Sequence, residues 1–241
     1  MINKVFPTSE SYRVSCAPRA GMAELVDAPD SKSGELITRE GSIPSPGTTQ
    51  PLTPDHFPMK FCSACGNPVS LRTPDGDHLA RYVCESCGAV HYQNPKLIVG
   101  CVPEHEGRIL LCRRAIEPRL GFWTIPAGFM ENGETTQEGA RRESFEEAQA
   151  QVEVGSLLAV VHVLHADQVH VMFRAKLPEA QFGPSPESLE VGLYSEEEIP
   201  WQDIAFRSVD FALRRYFDDR RRGVEGHHFT ALDYRKSGGV R

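Results

Sequence analysis

Two cysteine pairs constrain the fold of this chain more than any other feature of its sequence. Cys62-x-x-Cys65 and Cys84-x-x-Cys87 are separated by 18 residues, and a glycine follows each pair. A gap of two residues lets both thiolates of a pair reach one ion at about 2.3 Å. This spacing is typical of a structural zinc site with four cysteine ligands. Four thiolates leave no open coordination position, so we expect the Zn²⁺ to be structural.

Disulfide bonds and a redox pair are less favoured roles for these cysteines. Disulfides would need an oxidising compartment, but the first residues, MINKVFPTSESYRV, contain no apolar run. We therefore expect no secretory signal and a cytoplasmic location. A redox pair would not need two complete motifs with matching glycines. Cys101 and Cys112 lie in apolar segments and are expected to be buried thiols, while Cys16 stands apart from them.

The domain organisation follows from changes in composition along the chain. The stretch GSIPSPGTTQPLTP at 41–54 is rich in Pro, Gly, Ser and Thr and offers almost nothing to bury. Residues 1–58 are therefore predicted to be a disordered extension, either a functional tail or a segment that is not translated because synthesis starts at Met59. The other predicted units are a zinc ribbon at 59–93, an α/β domain at 94–220 and a polar tail at 221–241.

Hydrophobic periodicity predicts alternating strands and helices after the ribbon. The segment 135–148 is predicted to be helical because Thr135 and Glu138 form a capping box and no proline interrupts it. A second, amphipathic helix is predicted at 208–217. The predicted strands are 97–102 and 109–113, joined by a hairpin near Glu106-Gly107, followed by 152–154, 157–164, 169–175 and 189–194.

Composition and charge exclude several classes of function. The net charge is −7 and the pI is near 5.7, which argues against a nucleic-acid partner because such proteins usually carry a basic face. Apolar runs reach only the size of a core strand, so we expect no membrane association. An acidic protein with an anionic substrate would need metal ions between the two.

The most informative segment is the acidic helix near the middle of the chain. Glu143, Glu146 and Glu147 have i, i+3, i+4 spacing, so their carboxylates share one helix face. Arg142 can pair with Glu138 or Glu146 but cannot neutralise three carboxylates. Mg²⁺ prefers oxygen ligands and could do so. The alternative is an acidic helix face that is simply solvated.

The residues around this helix resemble the Nudix box, G-x₅-E-x₇-R-E-U-x-E-E-x-G-U, where U is a bulky aliphatic residue. The matching positions are Gly128, Glu134, Arg142-Glu143 and Glu146-Glu147. This chain departs from the pattern at three positions: Ser144 and Ala150 replace bulky residues, and Gln149 replaces the second glycine. A glutamine is expected to be strained there, because a left-handed residue is common just past a helix end.

The ribbon and the box together are similar to Nudix hydrolases that carry an N-terminal zinc ribbon, among them FAD and ADP-ribose diphosphatases. The lead-in WTIPAG at 123–128 also resembles the family. NADH diphosphatases have a stretch S-Q-P-W-P-F-P-x-S after the box. Here the corresponding region reads LLAVVHVLHADQVHVMF, which argues against NADH as the substrate.

The resemblance implies an α+β fold in which a mixed sheet lies between helices, an α/β/α sandwich preceded by the ribbon. It implies Mg²⁺- or Mn²⁺-dependent hydrolysis of a nucleoside diphosphate linked to another moiety, a small-molecule nucleotide substrate and a homodimer. Glu143, Glu146 and Glu147 would be the metal ligands, with the backbone carbonyl of Ala127 as a further ligand. Glu134 would support them and Arg142 would orient a ligand glutamate.

Several residues outside the box are weaker candidates. Glu187 and Glu190 could act as the catalytic base, or could be ordinary surface charges. Arg113, Arg114 and Trp123 could contact phosphates or a base, although Trp123 could equally belong to the core. The alternative function is a Nudix-like regulatory or binding module whose ribbon contacts a protein or a nucleic acid. An intact carboxylate set favours the enzyme.

Overall fold

The computed structural model describes residues 59–233. The predicted extension 1–58 and the last residues, 234–241, lie outside this range. The described chain begins with a small antiparallel sheet of three strands in the order β1-β2-β3. These strands are β1 (Ser70–Arg72), β2 (Arg81–Val83) and β3 (Val90–His91). Its buried apolar side chains are few, namely Cys62, Val83 and Cys84.

A large mixed sheet of eight strands follows. Six strands run in the order β10-β5-β4-β9-β8-β11, while β6 pairs with β5 and β7 pairs with β4. The pairs β4–β9 and β8–β11 are parallel and the others are antiparallel. The strands are β4 (Lys96–His105), β5 (Arg108–Arg114), β6 (Trp123–Thr124), β7 (Ala127–Phe129), β8 (Glu153–Val163), β9 (Gln168–Lys176), β10 (Ser188–Tyr194) and β11 (His228–Leu232).

The two α-helices, α1 (Thr136–Ala148) and α2 (Arg207–Arg222), cover opposite faces of this sheet. Alternation along the strands separates the two cores. Cys101 packs with the helix α1 residues, whereas its neighbour Val102 packs with those of α2. Short 3₁₀ turns occur at Leu164–Ala166 and Trp201–Asp203. The predicted α/β/α sandwich behind a cysteine-rich N-terminal unit is confirmed.

Helix α1 begins and ends by local chemistry that positions its acidic face. Thr135 accepts a hydrogen bond from the amide of Glu138, and the Glu138 carboxylate accepts one from the amide of Thr135, so the predicted capping box is present. The helix ends at Gln149, which adopts the left-handed conformation with φ 53°. Small buried residues, Ala140, Ser144 and Ala148, let the helix lie close to the sheet.

Three parts of the chain differ from the sequence-based expectation. The segments expected as separate strands at 152–154 and 157–164 form one strand, β8, because irregularities in its pairing with β9 absorb Gly155 and Ser156. Helix α2 continues to Arg222 rather than ending at 217. Beyond it, the expected polar tail from 221 contains an ordered strand, β11, which pairs in parallel with β8.

A buried polar cluster explains why the chain returns to the sheet after α2. Asp219 is only 2% exposed, and Arg174 of β9 donates to its carboxylate. His228 Nε2 lies 2.9 Å from Asp219 Oδ2, and the amide of Gly226 donates to the same oxygen at 3.0 Å. Arg174 also donates to the carbonyl of Leu157 at 3.0 Å. These bonds connect the end of α2, the loop before β11 and two sheet strands.

Neither helix between residues 59 and 233 has the length and apolar character needed to cross a membrane.

Candidate functional site

Three carboxylates of helix α1 form the centre of the candidate site. Glu143 and Glu147 are buried, with 8% and 6% of their surface exposed, whereas Glu146 is exposed. They share one side of the helix because of the i, i+3, i+4 spacing, and this side borders the small buried residues Ala140, Ser144 and Ala148 that pack on the sheet. Glu143 and Glu147 are therefore held against the protein, whereas Glu146 is solvated.

Burial makes these carboxylates electrostatically unfavourable in the absence of a cation. Desolvation raises the pKa of Glu147 to about 8, and the charge of Glu143 adds to this effect, while the amide of Ala127 opposes it. Desolvation also raises the pKa of Glu143, against the effect of Arg142. Two buried acids with raised pKa values and oxygen ligands are a donor set that fits a hard divalent cation.

Arg142 connects the carboxylates that surround it. Its guanidinium donates to Glu134 at 2.8 and 3.0 Å, to Glu143 at 2.7 Å and to Glu146 at 2.9 Å, and also to the carbonyl of Phe129 at 3.0 Å. The bonds from Arg142 to Glu134, together with one from the amide of Glu131, lower the pKa of Glu134 to about 2. The predicted pairing with Glu146 is therefore present. Glu138 is not among the hydrogen-bond and ion-pair partners of Arg142, because its carboxylate caps the helix.

Gly128 makes room for the buried carboxylate of Glu143. A Cβ atom added at position 128 would lie 2.3 Å from Oε1 of Glu143 and 2.4 Å from Oε2. No side chain fits there without displacing the carboxylate. The first position of the motif therefore requires a glycine in this chain, because any side chain there would clash with the carboxylate of Glu143.

Two contributors to the site, the amide of Ala127 and Gly100, were not predicted from the sequence. The amide of Ala127 donates to Glu147 Oε2 at 3.0 Å, although only its carbonyl was predicted to take part in the site. Gly100 of β4 lies opposite Ala127 in the β4–β7 pair, and an added Cβ would come within 2.4 Å of the Ala127 side chain. A glycine inside an apolar strand was the signal that could have identified this close approach.

The two candidate bases, Glu187 and Glu190, lie in different surroundings. Glu187 precedes β10, and its carbonyl accepts a hydrogen bond from the amide of Ala115 at 2.8 Å. Burial is the main cause of the raised pKa values of Glu143 and Glu147, and the negative charge of Glu187 is among the smaller contributions, so Glu187 lies within electrostatic range of the cluster. Glu190 instead lies 3.6 Å from Arg113 in an exposed ion pair across β10 and β5.

The two arginines that were predicted to contact the substrate bind other parts of the protein in this structure. Arg113 donates to the carbonyl of Gly121 at 3.0 Å. Arg114 donates to the carbonyl of Pro118 at 2.9 Å and stacks on the ring of Phe206 at 5.2 Å. Both arginines therefore shape the loop between β5 and β6. Arg114 also lies near enough to Glu147 for its positive charge to oppose the raised pKa of that carboxyl, of which burial is the main cause.

Trp123 of β6 packs against the core that lies under α2. Its ring meets Tyr194 edge to face, with centroids 5.1 Å apart. The tryptophan is partly buried, as expected for its core interpretation. Its contribution to substrate binding stays a prediction.

The second candidate site is formed by the four cysteines of the ribbon. The Sγ atoms of Cys62, Cys65, Cys84 and Cys87 all lie within 4.8 Å of one another. The sulfurs of Cys62 and Cys87 are 3.7 Å apart, and those of Cys65 and Cys84 are 3.5 Å apart. Four thiolates at about 2.3 Å around a tetrahedral ion require separations of roughly 3.8 Å. The cluster therefore fits structural Zn²⁺.

Neighbouring donors support the thiolates. The amide of Ala64 and the Nδ2 of Asn67 donate to Cys62 and Cys65 respectively, each at 3.4 Å. His91 Nε2 lies 3.3 Å from Cys62 Sγ. The glycine after each pair, Gly66 and Gly88, has a left-handed φ near 75°, which lets the chain turn tightly behind the sulfurs.

Two family models match this chain. One, described as Nudix N-terminal and named for a zinc ribbon, matches residues 60–93. The other, described as NUDIX domain, matches residues 94–215. A solved structure, a NUDIX hydrolase from Nitrosomonas europaea, is 55% identical and aligns over 72% of this chain and 99% of its own, with a TM-score of 0.71.

Curated relatives match a shorter region. A NAD-capped RNA hydrolase, NudC, from Chromobacterium violaceum is 36% identical over 95 residues, which are 39% of this chain and 33% of the relative. A MutT-like protein from Streptomyces ambofaciens is 33% identical over 102 residues, or 42% of this chain and 64% of the relative. The matched region thus spans between one third and two thirds of these relatives.

Proposed function

Because this chain belongs to the Nudix hydrolase family, we propose that it hydrolyses the diphosphate bond of a nucleoside diphosphate linked to another moiety, with Mg²⁺ or Mn²⁺ as the cofactor. One observation carries the proposal. Two buried carboxylates, Glu143 and Glu147, face the backbone of the Ala127–Gly128 segment and have raised pKa values because they are desolvated. A solvated acidic face would not hold its carboxylates in this way.

The residues of the cluster have complementary tasks in this proposal. Glu143, Glu146 and Glu147 would hold the divalent cation, and the carbonyl of Ala127 would add a further oxygen. Bound there, the cation would supply positive charge to the diphosphate and lower the pKa of a water. Arg142 keeps Glu143 and Glu146 in position through its hydrogen bonds at 2.7 and 2.9 Å.

Glu134 neutralises most of the Arg142 charge, since the arginine donates to both of its oxygens. Arg142 also pairs with Glu143 and Glu146, but one arginine cannot balance three carboxylates, so the cluster keeps a net negative charge for the cation. Glu134 is also fixed by the amide of Glu131, which donates to it at 2.8 Å. Its proposed role is to support Arg142.

Glu187 is the better candidate for the base that accepts a proton from the attacking water. It lies on the segment before β10 whose end is bonded to Ala115, and its charge acts on Glu143 and Glu147. Its exposed carboxylate is accessible to a water and a substrate. Glu190 instead lies in an exposed ion pair with Arg113 at 3.6 Å.

The substrate is proposed to be a dinucleotide or a related compound with an internal diphosphate. ADP-ribose and FAD are favoured by the resemblance of the ribbon and box to their diphosphatases. The name of the matched relative, NAD-capped RNA hydrolase NudC, favours NAD-capped RNA. The missing S-Q-P-W-P-F-P-x-S stretch and the acidic balance of the chain argue against that substrate.

A substrate panel tests the proposal. Turnover of ADP-ribose, FAD, NADH and NAD-capped RNA is measured with and without Mg²⁺, using the full chain. We expect Mg²⁺-dependent release of the two monophosphate products from at least one compound. If no dinucleotide is turned over, the chain is a binding or regulatory module rather than an enzyme.

Glu147→Gln is the sharpest single test of the cluster. The glutamine keeps an acceptor for the Ala127 amide but removes the negative charge. We expect kcat to fall at least ~100-fold, because losing a metal ligand removes several kcal/mol of charge stabilisation and each 1.36 kcal/mol is tenfold in rate. Glu146→Gln should behave in the same way.

The same Glu147→Gln change should leave the metal-free protein at least as stable, because burial already disfavours the ionised form of this carboxyl and raises its pKa to about 8. The matched control is Glu153→Gln, which changes an exposed glutamate at the start of β8 and should alter neither quantity. Undiminished turnover of the best substrate by Glu147→Gln would refute the catalytic assignment.

A further inference from the structure

The residue that ends helix α1 is a glutamine in a position where the box has a glycine. Gln149 adopts φ 53° and ψ 22°, a left-handed conformation that strains residues with a Cβ atom. Its amide still completes the helix end by donating to the carbonyl of Phe145 at 2.8 Å. A glycine would make the same backbone bond without strain, so the backbone alone does not account for a glutamine here.

The side chain of Gln149 contacts the loop that leads to Glu187. Its Nε2 donates to the carbonyl of Pro184 at 2.7 Å. The amide of the preceding residue, Gly183, donates to the carbonyl of Ala148 at 2.8 Å. Two hydrogen bonds thus connect consecutive residues of this loop to the last turn of the helix that carries the carboxylates.

The other end of the same loop is fixed as well. The carbonyl of Glu187 accepts a hydrogen bond from Ala115, and its amide donates to the Ser185 hydroxyl at 3.1 Å. The amide of Ser188 donates to the carbonyl of Ser185 at 3.1 Å. Glu187 is three residues after Pro184, whose carbonyl accepts the hydrogen bond from Gln149. The segment is thus hydrogen-bonded to the rest of the domain at Pro184 and again at Glu187.

We propose that Gln149 is a positioning residue that fixes the segment Gly183–Glu187 against the end of α1 and so keeps the Glu187 carboxylate at the carboxylate cluster. The inference rests on the proposed function, because it gives Gln149 an effect on the reaction through Glu187. It also explains why this chain accepts a strained residue at the helix end. The strain is offset by a contact that a glycine cannot make.

Gln149→Gly separates the side-chain contact from the backbone conformation. The glycine relieves the left-handed strain and removes only the bond to Pro184, so we expect no loss of melting temperature. We expect kcat on the best substrate to fall several-fold with little change in KM. Amide hydrogen exchange in peptides covering 178–190 should become roughly 3- to 10-fold faster, the effect of losing one hydrogen bond.

Glu106→Gly is the matched control. Glu106 also has a left-handed φ, 47°, is exposed, and lies in the turn between β4 and β5. Its replacement by glycine removes the same kind of strain without touching the Gly183–Glu187 segment. We expect unchanged kcat and unchanged exchange in 178–190.

A double-mutant cycle with Glu187→Gln tests whether Gln149 acts through Glu187. In the Glu187→Gln background, Gln149→Gly should lower kcat no further. Equal effects in both backgrounds, or unchanged exchange in 178–190 for Gln149→Gly, would overturn the inference. The exchange measurement needs neither metal nor substrate, so it decides the positioning role even if the substrate panel overturns the proposed function.

Discussion

At the scale of single residues, the buried histidine of β9 links pH to stability. His170 is 7% exposed; its Nε2 lies 3.0 Å from Gln168 Oε1, and among the described residues its Nδ1 has no hydrogen-bond partner. Burial lowers the pKa of His170 to about 4. The unfolded chain, with a pKa near 6.5, binds a proton first as the pH falls. His170 therefore lowers the free energy of unfolding as the pH drops from about 6.5 to 4.

We expect His170→Gln to remove this part of the pH dependence. The glutamine can keep a contact with Gln168 but does not titrate. The difference in unfolding free energy between the variant and the parent should shift in favour of the variant by up to about 3 kcal/mol between pH 7 and pH 4. Urea unfolding at several pH values measures it. Parallel stability curves for the two proteins in this range would contradict the prediction.

The residues of the box show what local spacing can reveal. The shared face of Glu143 and Glu147 follows from helix geometry, so it could be predicted. The burial of these carboxylates could not, because it depends on the packing of β7 against β4, and the Gly100 that permits this approach lies outside the motif. For the same reason the bond from Gln149 to Pro184 has no local signal, since 35 residues separate the two partners.

At the scale of elements, the zinc ribbon has too little apolar core to be stable without a metal. Its three strands contain two or three residues each, and its buried apolar side chains include two of the cysteines. A structural zinc site contributes its binding free energy directly to folding. The ribbon should therefore depend on the ion more than the large sheet does.

We expect one zinc per chain, and we expect Cys65→Ser or Cys87→Ser to lose it. Stability should fall before turnover does, because the closed site contributes no open ligand position to the chemistry. Elemental analysis and thermal unfolding measure the two effects. Cys101→Ala, which removes a buried thiol of the large domain, is the control that should keep its zinc. Full thermal stability of a metal-free protein would be incompatible with this account.

The strand after α2 depends on the buried cluster around Asp219. Replacing one partner of a buried ion pair leaves the other uncompensated, which typically costs about 3–5 kcal/mol. We therefore expect Asp219→Asn to lower the unfolding free energy by about 3 kcal/mol, because Arg174 stays buried with its charge. Chemical denaturation measures the change.

Asp210→Asn is the control for this prediction. Asp210 pairs with Arg214 at 3.0 Å, but both side chains are substantially exposed, so its loss should cost less than about 1 kcal/mol. Equal effects of the two substitutions would show that the Asp219 cluster does not anchor the strand. Sequence periodicity missed β11 because its anchors, Arg174 and Asp219, are 45 residues apart.

At the scale of the whole molecule, the layered fold could be predicted because one long motif and one cysteine pattern each belong to a known architecture. The order of the strands could not be predicted. The parallel pairs β4–β9 and β8–β11 join segments that are far apart in sequence, and hydrophobic alternation specifies a strand but not its neighbour.

We predict that residues 1–58 are dispensable. They lack apolar periodicity, and Met59 directly precedes the ribbon. A chain that starts at Met59 should keep the melting temperature and the turnover of the full chain. Calorimetry and the substrate assay compare the two. A decrease of several degrees on removal of the extension would show that it packs on the domain.

The parallel pairing of β11 with β8 also sets the order in which this molecule can be completed during synthesis. Arg174 leaves the ribosome 45 residues before Asp219 and still earlier than His228. Until those residues emerge, the nascent chain holds a cation without its counter-charge and a sheet with an open edge along β8. The domain therefore finishes folding only after Asp219 and β11 have emerged, and a message cut short before the codon for Asp219 yields a chain with an unpaired Arg174 and an open sheet edge, which chaperones or proteases must handle.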